Sequence, residues 1–189
     1  CPGCGRPVAI NQKTCSCGRP IVISTFQSVH EMPLPELNKY ARTYQKALEE
    51  HPKDPSLNNS VAMCYLKMKM YDKAYEAFDK AIADDIDNPE TYFYAAVSLL
   101  SGQKAFLTPR PKIDKIEELL NAATMIEPRG VFYLLWAYIK QDYFKRKFLK
   151  TTPDYTQMLA TAKEHGYSDL DRDNLFALLG VAIPSALME

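Results

Sequence analysis

Four cysteines lie close together at the start of the chain and are the residues best suited to chemistry. Cys1 and Cys4 have two residues between them, Cys15 and Cys17 have one, and ten residues separate the two pairs. Four thiolates bind Zn²⁺ tetrahedrally, with each sulfur about 2.3 Å from the ion. The pattern therefore predicts one metal site, with Cys1, Cys4, Cys15 and Cys17 as ligands and zinc as the ion.

Other chemistry is open to the same four thiols. They could form two disulfides, act as a redox pair, or hold iron in the same cage. A fifth cysteine, Cys64, stands alone in a predicted helix, as is common in a reducing compartment. Because four protein ligands close the coordination shell, we expect the zinc to be structural and not catalytic.

The CPGCG stretch, followed by CSCG, resembles a zinc ribbon, a family with paired cysteine turns. The second pair departs from the family pattern, because one residue instead of two separates Cys15 from Cys17. The resemblance implies a small zinc-ribbon-like module over residues 1–23. Since zinc ribbons often belong to the transcription or translation machinery, a nucleic-acid-associated factor is the alternative function.

A 34-residue period dominates the rest of the chain. Tyr44, Ala47 and Pro55 recur one period later as Phe78, Ala81 and Pro89. A fixed period of this length is typical of stacked helical hairpins, which bury a continuous core between neighbouring repeats. Such stacks usually bind other molecules and rarely catalyse reactions.

The small and aromatic residues of this pattern resemble the tetratricopeptide repeat in type and spacing. They are Val61, Ala62, Tyr65, Tyr71, Ala74, Phe78 and Ala81, followed by Tyr92, Ala95, Ala96 and Leu99. The resemblance covers about residues 36–165. It implies a mainly α fold, a tetratricopeptide-like α–α superhelix of about 3.5 helical hairpins with a small N-terminal zinc ribbon.

Cap residues and prolines set the expected helix boundaries. We expect one helix to end near His51, a second to start after Asp54, and a third to run from Tyr71 to Asp84. The next repeat starts at Pro89, and a loop over residues 102–111 delays its second helix. The last hairpin has a long first helix through the KRKFLK run and a second helix over residues 154–165, and Asp169 or Asp171 caps a final helix.

Three segments follow from these boundaries. They are the cysteine module at residues 1–23, a linker at 24–35, and a helical repeat domain with a C-terminal capping helix at 36–189. The run from Ile21 to Ile23 reads as a short strand, because it is rich in β-branched residues. Since the first repeat lacks a first helix, we expect the cysteine module to occupy that place.

In tetratricopeptide proteins the first helices of successive hairpins line a groove that receives the ligand. The resemblance places eight residues there: Asn59, Met63, Leu66, Phe93, Val97, Leu100, Leu134 and Tyr138. This surface is apolar and aromatic, which favours an apolar or helical peptide as the protein partner. The alternative is that the protein's own C-terminal helix or linker covers these residues.

A basic run with two aromatic residues follows the predicted groove. Lys145, Arg146, Lys147 and Lys150 are interleaved with Phe144 and Phe148. The run could bind phosphate or an acidic partner. We expect instead a solvated helix face with two buried phenylalanines.

The composition limits the classes of function. Lysine plus arginine and aspartate plus glutamate both number 23, so the formal charge is zero and gives no reason to expect nucleic acid or an anionic membrane as a partner, although local charged patches are possible. The longest apolar run, residues 131–139, is shorter than the roughly 20 residues of a membrane span. No convincing catalytic motif is present. We therefore expect a cytoplasmic, non-enzymatic adaptor with structural Zn²⁺.

Overall fold

The computed structural model describes residues 1–6, 12 and 14–188, and this part of the chain is mainly helical. Its α-helices are α1 (Gln27–His30), α2 (Leu34–Glu50), α3 (Pro55–Lys67), α4 (Tyr71–Asp84), α5 (Pro89–Leu99), α6 (Arg110–Ile126), α7 (Gly130–Ile139), α8 (Tyr155–Glu164) and α9 (Asp169–Leu179). No strand occurs among the described residues, where an isolated bridge joins Thr14 to Pro20. The mainly α fold expected from the repeat pattern is confirmed.

The chain divides into two compact units, Cys1–Ile86 and Asp87–Glu189. The boundary falls in the turn between α4 and α5, where one repeat ends and the next begins. The division into residues 1–23, 24–35 and 36–189 remains a prediction, and residues 7–11 and 13 of its first segment lie outside the described residues.

In the first unit, α3 and α4 form a hairpin, and α2 packs against α3. Ala62 and Ala74 are fully buried and Ala81 is nearly so, which lets the helices approach closely. Leu37, Tyr40 and Tyr44 are buried on one side of α2. The apolar faces predicted from the 34-residue period therefore form this core.

Side-chain caps start the two repeats at the predicted positions. The Asp54 carboxylate accepts a hydrogen bond from the Leu57 N–H at 2.9 Å, and proline follows at the first position of α3. Asn88 caps α5 in the same way through the Thr91 N–H, again with proline next. These side chains satisfy N–H groups that a helix start leaves without a partner.

The segment from Pro20 to Ile23 lies along α2 and α3 and forms no strand. Tyr40 Oη donates to the Pro20 carbonyl at 3.2 Å, and Tyr44 Oη donates to the Ile21 carbonyl at 2.9 Å. Ser60 Oγ accepts from the Ile23 N–H at 2.9 Å. The predicted strand is wrong because these groups bond to helix side chains instead of a neighbouring strand.

In the second unit, α5 packs with α6, and α7 packs with α8. The predicted loop between α5 and α6 is present, and it contains a 3₁₀ turn, Ala105–Leu107. The Ala105 N–H donates to Tyr138 Oη at 3.1 Å, and the Phe106 N–H donates to Asp142 Oδ2 at 2.9 Å. These two hydrogen bonds attach the loop to α7 and to the segment that follows α7.

The long first helix expected for the last hairpin is interrupted. α7 ends at Ile139, a π-helical segment runs over Lys140–Lys145, and the chain turns at Phe148. Phe144 is buried, but Phe148 is 95% exposed, so the expectation of two buried phenylalanines is wrong for Phe148. A positive φ of 56° at Phe148 ends the helical path and directs its ring into solvent.

The last two helices have capping boxes, in which the cap side chain and the third helical residue bond to each other's N–H. Asp154 caps α8, close to the predicted start. Ser168 caps α9, so the prediction of Asp169 or Asp171 as the cap is wrong. Asp171 instead supplies the reciprocal bond, accepting from the Ser168 N–H at 2.8 Å.

Candidate metal centre and partner surface

The four N-terminal cysteines come together as their spacing predicts. Their sulfurs all lie within 4.8 Å of one another. The Sγ atoms of Cys1 and Cys17 are 3.8 Å apart, and those of Cys4 and Cys15 are 3.6 Å apart. A regular tetrahedron of thiolates 2.3 Å from a zinc ion has sulfurs about 3.8 Å apart, whereas a disulfide needs about 2.05 Å. The four sulfurs therefore fit a tetrahedral ion and not a pair of disulfides.

A tight turn holds each pair of cysteines. The Gly5 N–H donates to the Cys1 carbonyl, and the Gly18 N–H donates to the Cys15 carbonyl, both at 2.9 Å. The φ angles of these glycines are 77° and 79°, values that side chains with a Cβ rarely adopt. The two turns therefore match, although the second pair is one residue shorter than the ribbon pattern.

The cysteine segment is attached to α2 by polar contacts. Arg19 and Lys39 both donate to the Gly3 carbonyl, at 3.0 Å and 2.6 Å. The Arg19 guanidinium also pairs with the Glu36 carboxylate at 3.2 Å. Arg19 of the segment and Lys39 of α2 therefore already have polar partners within the first unit.

Cys15 and Cys64 have very different surroundings. The backbone N–H of Cys17 is the main cause that lowers the pKa of the Cys15 thiol to about 7, against the opposing effect of burial. Burial alone raises the pKa of the Cys64 thiol to about 12. Cys15 is thus suited to the thiolate form that binds a metal, whereas Cys64 remains a neutral core residue.

All eight residues predicted to line the groove are buried. Their exposed fractions lie between 0% and 6%, and they are Asn59, Met63, Leu66, Phe93, Val97, Leu100, Leu134 and Tyr138. The structure therefore places them in the protein interior. A peptide could reach them only after some covering segment had moved.

Segments of the chain itself cover part of this surface. In the first unit, the Asn59 amide donates to the Ile23 carbonyl at 3.4 Å, so the linker side of the cysteine segment lies on α3. In the second unit, α9 packs on α7, with the Phe176 ring against the Tyr138 ring at a centroid distance of 5.3 Å. Ile23 belongs to the cysteine segment and not to the linker at 24–35, so these contacts agree with self-coverage by the C-terminal helix at Tyr138, and coverage of the remaining groove residues stays a prediction.

A buried ionic cluster at the end of α7 was not found by sequence reasoning. The Lys140 ammonium pairs with the Glu117 carboxylate at 2.5 Å and donates to Thr151 Oγ1 at 2.6 Å. The Trp136 indole N–H also donates to Glu117, at 2.8 Å. Spacing along the chain gives no signal for this cluster, because Glu117 comes from α6 and Thr151 from the turn before α8.

Comparison with known proteins agrees with the helical repeat. No curated protein matches the chain significantly. Among the described residues, no helix has both the length and the apolar character needed to cross a membrane. Residues 43–76, one 34-residue period from the second half of α2 into α4, match the family model of the tetratricopeptide repeat. The chain thus carries a tetratricopeptide repeat at these residues and, at its N-terminus, a four-cysteine cluster that could hold a metal.

Proposed function

We propose that this chain is a non-enzymatic scaffold for protein–protein interaction. The observation that carries the proposal is the tetratricopeptide match at residues 43–76, in a region where α2, α3 and α4 pack as repeat helices. Repeats of this kind generally bind proteins and rarely catalyse reactions. The free cysteines, including buried Cys64, are typical of a reducing compartment, which supports a cytoplasmic location.

The cysteine cluster holds a structural zinc ion in this proposal. Four thiolates bound to one ion would complete a tetrahedral shell and leave no ligand position for a substrate. When bound, the ion supplies folding free energy to a segment that is too short to build its own core. The segment in turn covers α2 and α3, the place that a first helix would take in a complete first repeat.

The second unit indicates what kind of partner would fit. α9 places Leu175, Phe176 and Leu179 on one buried side, a pattern of apolar anchors along one helix. Helices with such anchors are common ligands of apolar grooves. We propose that the protein partner presents a similar apolar helix and competes with α9 for the surface around Tyr138.

Affinity capture with a matched pair of variants tests the scaffold. Phe176→Ala removes the ring that packs on Tyr138, whereas Leu170→Ala changes an exposed residue of the same helix. The Phe176→Ala protein should capture more of the same partner proteins than wild type does, and the Leu170→Ala protein should not. Helical circular dichroism confirms that both variants fold. Equal capture by all three proteins would remove the support for this surface.

A second assay, binding of RNA or DNA at increasing salt, tests the alternative that the chain is a nucleic-acid-associated zinc-ribbon factor. Arg19 and Lys39, two cations that contact the first cysteine turn, already bond to Gly3, and Arg19 also pairs with Glu36, which leaves fewer cations for phosphates. Affinity for nucleic acid falls steeply with salt in proportion to the phosphates contacted. Tight, steeply salt-dependent binding of RNA or DNA would replace the scaffold proposal with this alternative.

A further inference from the structure

The turn after the π-helical segment presents an aromatic ring to solvent. Phe148 is 95% exposed and its φ is 56°, and the next residue, Leu149, is 41% exposed. The Phe148 N–H donates to the Lys145 carbonyl, and the Leu149 N–H donates to the Phe144 carbonyl at 2.9 Å. This pattern of bonds closes a helix end at a position where glycine is the usual residue. A large ring at such a position gains nothing from its own fold.

Cations flank Phe148 in the sequence. Lys145, Arg146, Lys147 and Lys150 lie within three residues of Phe148, and no aspartate or glutamate occurs between residues 143 and 153. The whole chain is neutral, so this run is a local positive charge of four. The combination of exposed apolar side chains with adjacent cations favours an occupant that offers both negative charge and an apolar interior.

Several of these cations already have partners within the second unit. Arg146 pairs with the buried Asp142 carboxylate at 2.6 Å, and Lys145 donates to Tyr155 Oη at 3.0 Å. The Lys147 ammonium lies 3.9 Å from the centroid of the Tyr143 ring. Because their hydrogen-bonding directions are partly taken, they suit a diffuse negative surface better than one positioned carboxylate. Their positive potential remains, since Asp142 and Asp154, which lies close enough to Lys145 to interact with its charge, offset two charges of the four.

We propose that the turn at residues 145–150 binds the surface of an anionic lipid membrane. The Phe148 ring and the Leu149 side chain enter the boundary between headgroups and acyl chains, while the lysines stay at the level of the lipid phosphates. Anionic headgroups attract such basic clusters in proportion to the number of cations near the surface. The inference goes beyond the scaffold function, and each can fail without the other.

Vesicle co-sedimentation of the full chain tests the inference. Wild type should bind phosphatidylcholine vesicles that contain phosphatidylserine, bind pure phosphatidylcholine vesicles much less, and dissociate as salt is raised. Phe148→Gly should weaken binding by about tenfold or more, since one buried aromatic side chain is worth at least that factor. Glycine suits the positive φ, so this variant should keep its fold, and Leu170→Ala serves as the apolar control because Leu170 is exposed elsewhere in the same unit.

A second pair of variants separates the effect of the local charge on vesicle binding from the effect of the net charge. The double change Lys147→Gln with Lys150→Gln should abolish the preference for phosphatidylserine. The control double change, Lys46→Gln with Lys53→Gln, alters net charge equally at exposed lysines of the first unit and should leave binding unchanged. Equal binding of wild type and Phe148→Gly would overturn the inference. Binding to polyglutamate but not to anionic vesicles would also overturn it, in favour of an acidic protein partner.

Discussion

At the scale of single residues, alanine side chains decide how closely α3 and α4 approach. Ala74 is fully buried on α4, whereas Ala83 on the same helix is exposed. Ala74→Leu should lower the free energy of unfolding by about 1 to 3 kcal/mol, because the added atoms have no space in this contact. Ala83→Leu is the matched control and should change it by less than about 0.5 kcal/mol. Urea unfolding measures both, and equal effects would contradict close packing at Ala74.

The cysteine pattern predicted that four thiols come together, but residue type did not predict the exposure of every aromatic side chain. The cysteine spacing was sufficient because four thiols on two short turns can reach one point. Phe148 was predicted to be buried because its neighbours follow a helical pattern up to that position. The positive φ that turns the ring outward is set by the bonds from Phe148 and Leu149 to Lys145 and Phe144, which spacing does not reveal.

At the scale of elements, the segment at residues 20–23 is anchored by hydrogen bonds to side chains of α2 and α3. The Ile23 N–H is buried and donates to Ser60 Oγ. Ser60→Ala should lower the free energy of unfolding by about 1 to 3 kcal/mol, because a buried donor then lacks its acceptor. Ser56→Ala, at an exposed position of the same helix, is the control. Chemical denaturation compares the two, and an unchanged Ser60→Ala protein would contradict the proposed anchoring.

The start of α8 should respond to acid. The Gln157 N–H and the Thr156 hydroxyl both donate to the Asp154 carboxylate, and these bonds lower its pKa below the ordinary value of about 3.9. A lowered folded-state pKa adds stability above the unfolded-state pKa, and this contribution is lost as pH falls through the folded-state pKa.

Asp154→Asn isolates this titration, since asparagine keeps an oxygen at the cap position but does not titrate. Wild type should lose stability relative to Asp154→Asn as pH falls below about 4, and the difference should be constant near neutral pH. Thermal unfolding across a pH series measures it. A stability difference that does not change between neutral and acidic pH would show that the Asp154 carboxylate does not cap α8 as described.

The repeat period predicted most helices of the chain because each helix carries a regular apolar face and a recognisable start. Asp54 before Pro55 is such a start. The π-helical segment over Lys140–Lys145 was not predicted, and its residues Lys140 and Asp142 make buried contacts with residues distant in sequence, which periodicity does not reveal. The sequence left open whether the groove residues are covered, since periodicity marks an apolar face without showing what packs on it.

At the scale of the whole molecule, the metal should contribute to the stability of the first unit. We predict about one zinc ion per chain by elemental analysis, since the cluster offers four ligands. Cys15→Ser should lower the metal content and the stability of the first unit, because zinc binding is coupled to folding. Cys64→Ala is the control for metal content, which it should leave unchanged, because that cysteine lies in the core and is not one of the four clustered cysteines. Full metal content in Cys15→Ser would contradict the assignment.

The central claim is that the repeat helices hold an apolar helix, and α9 supplies a defined probe for it. A labelled synthetic peptide of residues 167–180 is titrated into the full Phe176→Ala chain and into wild type, with fluorescence anisotropy as the readout. The account predicts saturable binding to the variant, and binding to wild type weaker by about tenfold or more because its own Phe176 packs on Tyr138. A folded Phe176→Ala chain that does not bind the peptide would contradict the account.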